Sequence, residues 1–249
     1  MIKRSQVSWW GAVLLVLCFA PLAFSQTVSL TLDNGGPYTM DGVYVGPYNF
    51  TETQNNSSKS AQLICDDFKD EVYPGESWTA KVTSFSSINS NSTGLMFYNS
   101  TAGSSSIFGI AGNFVQGYEA MAYLATQMLP LASNPSNATT VGYMAYAIWA
   151  IFEPSTVKAW LSSDSTAWAQ VVTYVQNALK FVESNNVSPS YFAGWEILTP
   201  ITCTSSQSCP PQEYFQYVPE GGAALAYLLM AGVSCYAAML LRRRRAKLV

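Results

Sequence analysis

The chain contains no histidine in its 249 residues. That removes the commonest general base, the Ser-His-Asp and Cys-His arrangements, and most zinc sites, because each of these needs an imidazole. Arginine is missing from residues 26–217, where five lysines face fourteen acids, a net charge of −9. The overall formal charge of −3 conceals this, because the other bases sit at the two ends of the chain. A stretch so acidic, with no guanidinium, cannot neutralise a phosphate backbone, and nucleic acid is excluded as a partner. Charged residues of any sign make up only 11% of the chain, and Ser, Thr, Asn and Gln fill the polar positions instead. Disorder does not follow, since aromatic residues reach 14% and the stretch is long enough to bury a core.

Cysteine is scarce as well. Of the five, Cys18 and Cys235 lie in apolar runs near the two ends, which leaves three between them. Cys203 and Cys209 bracket Thr-Ser-Ser-Gln-Ser, a spacing that fits a small disulfide in an oxidising compartment. Cys65 is then left over, in the run Ile64-Cys65-Asp66-Asp67-Phe68. Its acidic neighbours discourage a thiolate, and the expectation is a thiol packed in the core as a small apolar group.

What is present at the ends is informative. Lys3 and Arg4 precede an apolar core over residues 9–24 and the small-residue pattern Ala23-Phe24-Ser25. This is the layout of a secretory signal peptide over residues 1–25, cleaved between Ser25 and Gln26. At the other end, residues 218–249 open with Val218, Pro219, Glu220 and Gly221 and continue as an uncharged run over 221–241. Arg242, Arg243, Arg244, Arg245 and Lys247 follow it. As a helix the run is about 32 Å long, close to the hydrocarbon thickness of a bilayer. The basic end should stay in the cytoplasm, which places the extracytoplasmic domain at residues 26–217. Pro-Glu, a short apolar helix and a terminal Arg cluster resemble the PEP-CTERM sorting tail of exported bacterial proteins. Gly221 stands where that tail usually has a second proline, which makes this a Val-Pro-Glu-Gly-Gly variant. The resemblance implies an exosortase-type membrane transpeptidase as partner, transient anchoring through residues 221–241, and delivery to the cell surface, in association with exopolysaccharide.

Inside the domain, residues 28–32 alternate apolar and polar, and Asp33-Asn34-Gly35-Gly36 reads as a turn. Residues 42–50 form a second strand candidate that Pro47 bends or places at an edge, 51–58 a polar loop, 59–68 a rising apolar strand, and 76–85 another alternating one. Residues 86–112 carry little pattern. From Asn113, apolar residues recur at three- and four-residue steps in a helix that Pro130 should terminate. A second helix spans 139–152 and stops before Pro154, and Asp164 or Ser165 caps a third. Residues 195–199 and 213–218 read as strands returning to the sheet. The fold class is α+β: an antiparallel sheet or small barrel with a subdomain of about three helices.

Cys65 in a strand, followed by Ala147-Ile148-Trp149 in a helix, weakly resembles the thioester domains of bacterial surface adhesins. There a strand cysteine and the Gln of a Gln-x-Ala-Ile-Trp motif form an internal thioester. The matching position here is Ala145, which has no carboxamide for the thiolate to attack, and Gln127 in the preceding helix is the remaining substitute. The resemblance therefore implies the architecture without its reactivity. Asp66, Asp67, Asp70 and Glu71 lack the order of a calcium loop and read as a solvated strand end, so no metal or cofactor is expected. Trp78, Trp160, Trp168 and Trp195 are sugar-stacking candidates, although tryptophan at such spacing is more often core. The expectation is a non-enzymatic surface protein. The alternative is a carbohydrate-binding or carbohydrate-active module on a permanent single-span anchor.

Overall fold

Strand β1 (Thr27–Asn34) buries Val28, Leu30 and Leu32 and turns Thr27 and Ser29 to solvent, as its alternation demands. A computed structural model describes residues 26–203, 211–218 and 230–236, with only the backbone at Thr202 and Cys203. Ser25, Pro219, Glu220, Gly221, Cys209 and the basic end from Arg242 to Lys247 lie outside the described residues. Of the apolar run over 221–241, residues 230–236 are described, as an exposed helical stretch. Among the described residues no helix is long and apolar enough to cross a membrane.

The short pair β2 (Thr39–Met40) and β3 (Val43–Tyr44) forms a separate ribbon. The candidate strand over 42–50 is therefore split: its first part belongs to this ribbon, and the next long strand starts only at Tyr48. β4 (Tyr48–Gln54) and β5 (Ser57–Cys65) form a hairpin in which Gln54 faces Ser57. Residues 51–58 are thus strand, turn and strand, and not the loop their polarity suggests. Polar side chains cover the outside of this hairpin while the ladder satisfies the backbone. The turn residues Asn55 and Asn56 hold φ of 49° and 61°, the left-handed pair that a two-residue hairpin turn requires and that Asn tolerates.

β6 (Ser77–Ser84), β9 (Trp195–Cys203) and β10 (Tyr214–Tyr217) complete a closed antiparallel barrel in the order β1-β4-β5-β10-β9-β6, with β6 pairing back onto β1. Closure leaves none of the six strands with an unpaired edge. The interior holds an aromatic cluster: the Phe50 ring lies 5.7 Å from that of Trp78 and 4.8 Å from that of Tyr214, both in edge-on contacts.

Between β6 and β9 the chain forms a second ribbon, β7 (Ala102–Ser104) with β8 (Ile110–Gly112), and the helices α1 (Ser105–Phe108), α2 (Phe114–Ala132), α3 (Ala138–Phe152), α4 (Pro154–Trp160) and α5 (Ser165–Ser184). The side chains of Asn113 and Gln116 cap α2 reciprocally. Pro130 does not end α2, which runs on to Ala132; the ring withholds only the one N–H that would reach the Thr126 carbonyl. Pro154 ends α3 and starts α4, its ring suiting the first helical position. Asp164 caps α5 by accepting from the Ala167 N–H at 2.8 Å.

The helices cover one side of the barrel. Along β5, Leu63 and Cys65 face the interior and Ile64 faces the helices; along β9 and β10, Leu198 and Tyr214 point inward while Ile197 and Phe215 point outward. These strands are apolar on both faces because both are covered. At Gly117 of α2 an added Cβ would sit 2.4 Å from the Phe152 ring and 2.7 Å from Ala102, so this close approach needs glycine. Replacing the fully buried Phe50 by Ala is expected to destabilise the full chain by roughly 3–5 kcal/mol in chemical denaturation. Exposed Ser60→Ala should stay within about 0.5 kcal/mol.

Candidate functional site

β5 ends at Cys65, which is buried and pairs with Tyr214 of β10. Residues 66–74 then leave the barrel and run over the end of α3. Three contacts fasten this segment. The Phe68 N–H donates to Glu153 at 2.7 Å, Lys69 forms an ion pair with the other Glu153 oxygen at 2.7 Å, and the Phe68 ring sits 5.0 Å from Trp149 and 5.7 Å from Trp160. Gln212 donates to the carbonyls of Asp67 and Asp70, and is itself held by the Tyr214 hydroxyl.

The Cys65 thiol donates to the Asp67 carbonyl at 2.9 Å. The Trp149 indole N–H faces it without meeting hydrogen-bond geometry. Burial, and then the charges of Asp67 and Asp66, push the thiol well above its ordinary value. It is a protonated core group, as the sequence suggested, and a poor nucleophile. Ala145, one turn before Trp149 on α3, is buried and presents a methyl group. Gln127 is exposed on α2 and donates to the Tyr123 carbonyl of its own helix, so it offers the buried thiol no carboxamide.

The acidic run departs from expectation. Asp66 and Asp67 are 0% and 2% exposed, so the strand end is not solvated there; Asp70 is half-buried and Glu71 exposed. Asp66 lies against Glu213, which is also fully buried. Glu213 accepts from Tyr118 at 2.5 Å, from the Met96 N–H at 3.1 Å, and from Thr199. Neither oxygen of Asp66 has a hydrogen-bond partner among the described residues, and burial followed by the Glu213 charge holds it well above the carboxylate range. Two buried carboxyls so close cannot both ionise cheaply; burial raises Glu213 as well, and the two titrate as a pair. Asp67 is pushed up to about 7, first by burial, with Asp70 and Glu153 adding to it against the backbone N–H groups of Lys69 and Asp70. Its Oδ1 accepts those two N–H groups, whereas Oδ2 is buried without a partner. Among the described residues no three His, Cys, Asp or Glu side chains converge as a metal site.

Next to this network a cleft of about 500 Å³ opens between the segment 66–74, the β2–β3 ribbon and the helices α3 and α4. Tyr44, Tyr73 and Trp160 line it, each about half exposed, above a floor that includes Phe68, Trp149 and Asp67. Of the four tryptophans proposed as sugar platforms, Trp78 and Trp195 are core, and Trp168 is partly buried with Lys158 over its ring at 6.0 Å. Only Trp160 reaches the cleft. Sequence reasoning missed Gln212, Tyr44 and Tyr73, and treated Glu153 and Glu213 only as part of the net charge. An acid heading the apolar strand Tyr214-Phe215, and another wedged between two helices before a proline, were the available signals. No family model matches the sequence, and no curated protein or solved structure is significantly similar to it.

Two outcomes follow from this chemistry. Native Cys65 should resist alkylation at pH 8 and react once the chain is denatured, while the intact mass shows no deficit of one ammonia; such a deficit, abolished by Cys65→Ala, would reveal a thioester. Acids raised by folding stabilise fully below their unfolded values, and that stability is lost as pH rises to the folded ones. Glu119 on α2, raised to about 7 by burial, behaves like Asp67. The melting temperature should therefore fall between pH 4 and 7, and Asp67→Asn with Glu119→Gln should flatten that slope.

Proposed function

We propose that this chain is an exported bacterial surface or extracellular-matrix protein, sorted through a PEP-CTERM-like tail by an exosortase-type transpeptidase and associated with exopolysaccharide, and that its α+β domain is non-catalytic. The observation that carries the reading is the order of parts along the chain. A signal-peptide pattern is followed by an acidic domain without arginine or histidine, then by Val218-Pro219-Glu220-Gly221, an apolar run and a cluster of arginines. A protein so bounded is exported and held by its end, and a sorting enzyme needs nothing more from the domain than that it fold.

The domain's chemistry supports the non-catalytic part. The thiol that a thioester would need is buried and protonated, and the position where the carboxamide would stand is Ala145. The paired carboxyls Asp66 and Glu213 are fully buried, joining barrel to helices rather than facing solvent.

A second reading has one specific observation in its favour. The cleft lined by Trp160, Tyr44 and Tyr73 has the size and aromatic character of a small-molecule site, which suits a carbohydrate-binding module on a permanent anchor. Mass spectrometry of the mature C-terminus from the native host separates the two modes of attachment. An end close to Pro219-Glu220 is expected; persistence of residues 242–247 in the surface fraction would establish a permanent anchor and overturn the sorting proposal.

A further inference from the structure

We propose that the cleft between the β2–β3 ribbon and helices α3 and α4 binds an organic ammonium group, with the free oxygen of Asp67 as its anionic seat and Trp160, Tyr44 and Tyr73 as its aromatic walls. The proposal stands on the cleft alone and does not depend on how the chain is sorted.

The charges around the cleft are unbalanced. Asp67, Asp70 and Glu71 line it together with one cation, Lys69, and that cation is already paired with Glu153 at 2.7 Å. Glu71 accepts from the Tyr73 hydroxyl at 2.5 Å, which turns that ring and that carboxylate into one unit at the rim. Among the described residues Asp70 has no ion pair. Deeper in, Asp67 is 2% exposed, and its Oδ2 is buried with no hydrogen-bond partner while Oδ1 is fully used. A buried acceptor without a donor is costly, and native proteins rarely leave one unless something else supplies the donor. The missing component is a donor, and the surplus of carboxylates asks that it be positive.

The walls favour the same class of ligand. Indole and phenol faces attract cations, and aromatic side chains around an anionic seat are the usual means of holding ammonium groups. Tyr44, Tyr73 and Trp160 are 50%, 52% and 49% exposed, large rings left open to solvent beside that seat. A neutral sugar would find the same ring faces but would leave the negative charge uncompensated. Binding is non-covalent: Cys65 is buried and does not line the cleft.

The test is calorimetric titration of the full chain in neutral detergent with three probes: a glucosamine tetramer, its fully N-acetylated counterpart, and spermidine. The glucosamine tetramer or spermidine should bind, and more weakly as salt rises, because the contact is electrostatic. Binding of one and not the other tells whether the ammonium is read on a sugar or on a linear chain. Acetylation, which removes the charge, should weaken the tetramer by about tenfold or more, as should Asp67→Asn, and Trp160→Ala should weaken both amines. Equal affinity for the acetylated tetramer would overturn the proposal and favour recognition of ring faces alone. It is likewise overturned if neither amine binds, or if Asp67→Asn leaves amine affinity unchanged. Should Asp67→Asn fail to fold, the rim variant Asp70→Asn with Glu71→Gln replaces it: a several-fold loss upholds the charge-based site, and no loss overturns it.

Discussion

Glu213 is the residue on which the assembly of this domain turns. It heads the last barrel strand, is fully buried, and accepts hydrogen bonds from the helix α2 through Tyr118, from the loop before that helix through Met96, and from strand β9 through Thr199. A carboxylate taken out of water costs several kcal/mol unless its oxygens are satisfied, and here three elements distant in sequence satisfy them. Barrel and helices are thus joined by a polar contact whose geometry tolerates one arrangement, set within a larger apolar interface that would tolerate several.

The same junction explains the site. Because Asp66 is drawn inward, the next residues are carried across the end of α3, where Glu153 receives Phe68 and Lys69. That course places Phe68 between Trp149 and Trp160 and leaves Asp67 among the residues that line the cleft. It also seals the thiol of Cys65 under its own following carbonyls. The one strand end thus buries its cysteine and borders a cleft lined by acids and aromatics.

Much of the framework was legible in the residues. The alternation of β1 and β6, the periodic helices α2, α3 and α5, and the cap at Asp164 follow from short-range rules that hold whatever surrounds them. The polar hairpin over residues 51–58 did not, because its turn is made by two asparagines rather than by glycine, and because strands on the wet side of a barrel need no apolar alternation. The continuation of α2 past Pro130 and the restart at Pro154 were obscured for a related reason: proline's cost depends on which hydrogen bond it removes. In the site, Cys65 and Ala145 could be compared from spacing alone, whereas Glu153 and Gln212 acquire meaning only from neighbours far away in the chain.

The sequence by itself determined which side-chain chemistry the chain can draw on: the absence of histidine, and of arginine from residues 26–217, is a property of composition that needs no neighbours in space. It also determined that Ala145 offers no carboxamide. Whether four acids in a row of six residues stand in water or in the core was decided by the tertiary structure, since an acid's protonation and partners depend on what packs over it. Burial of Asp66 and Asp67 against β10 and α3 turned an apparently solvated strand end into a structural joint with a cleft beside it.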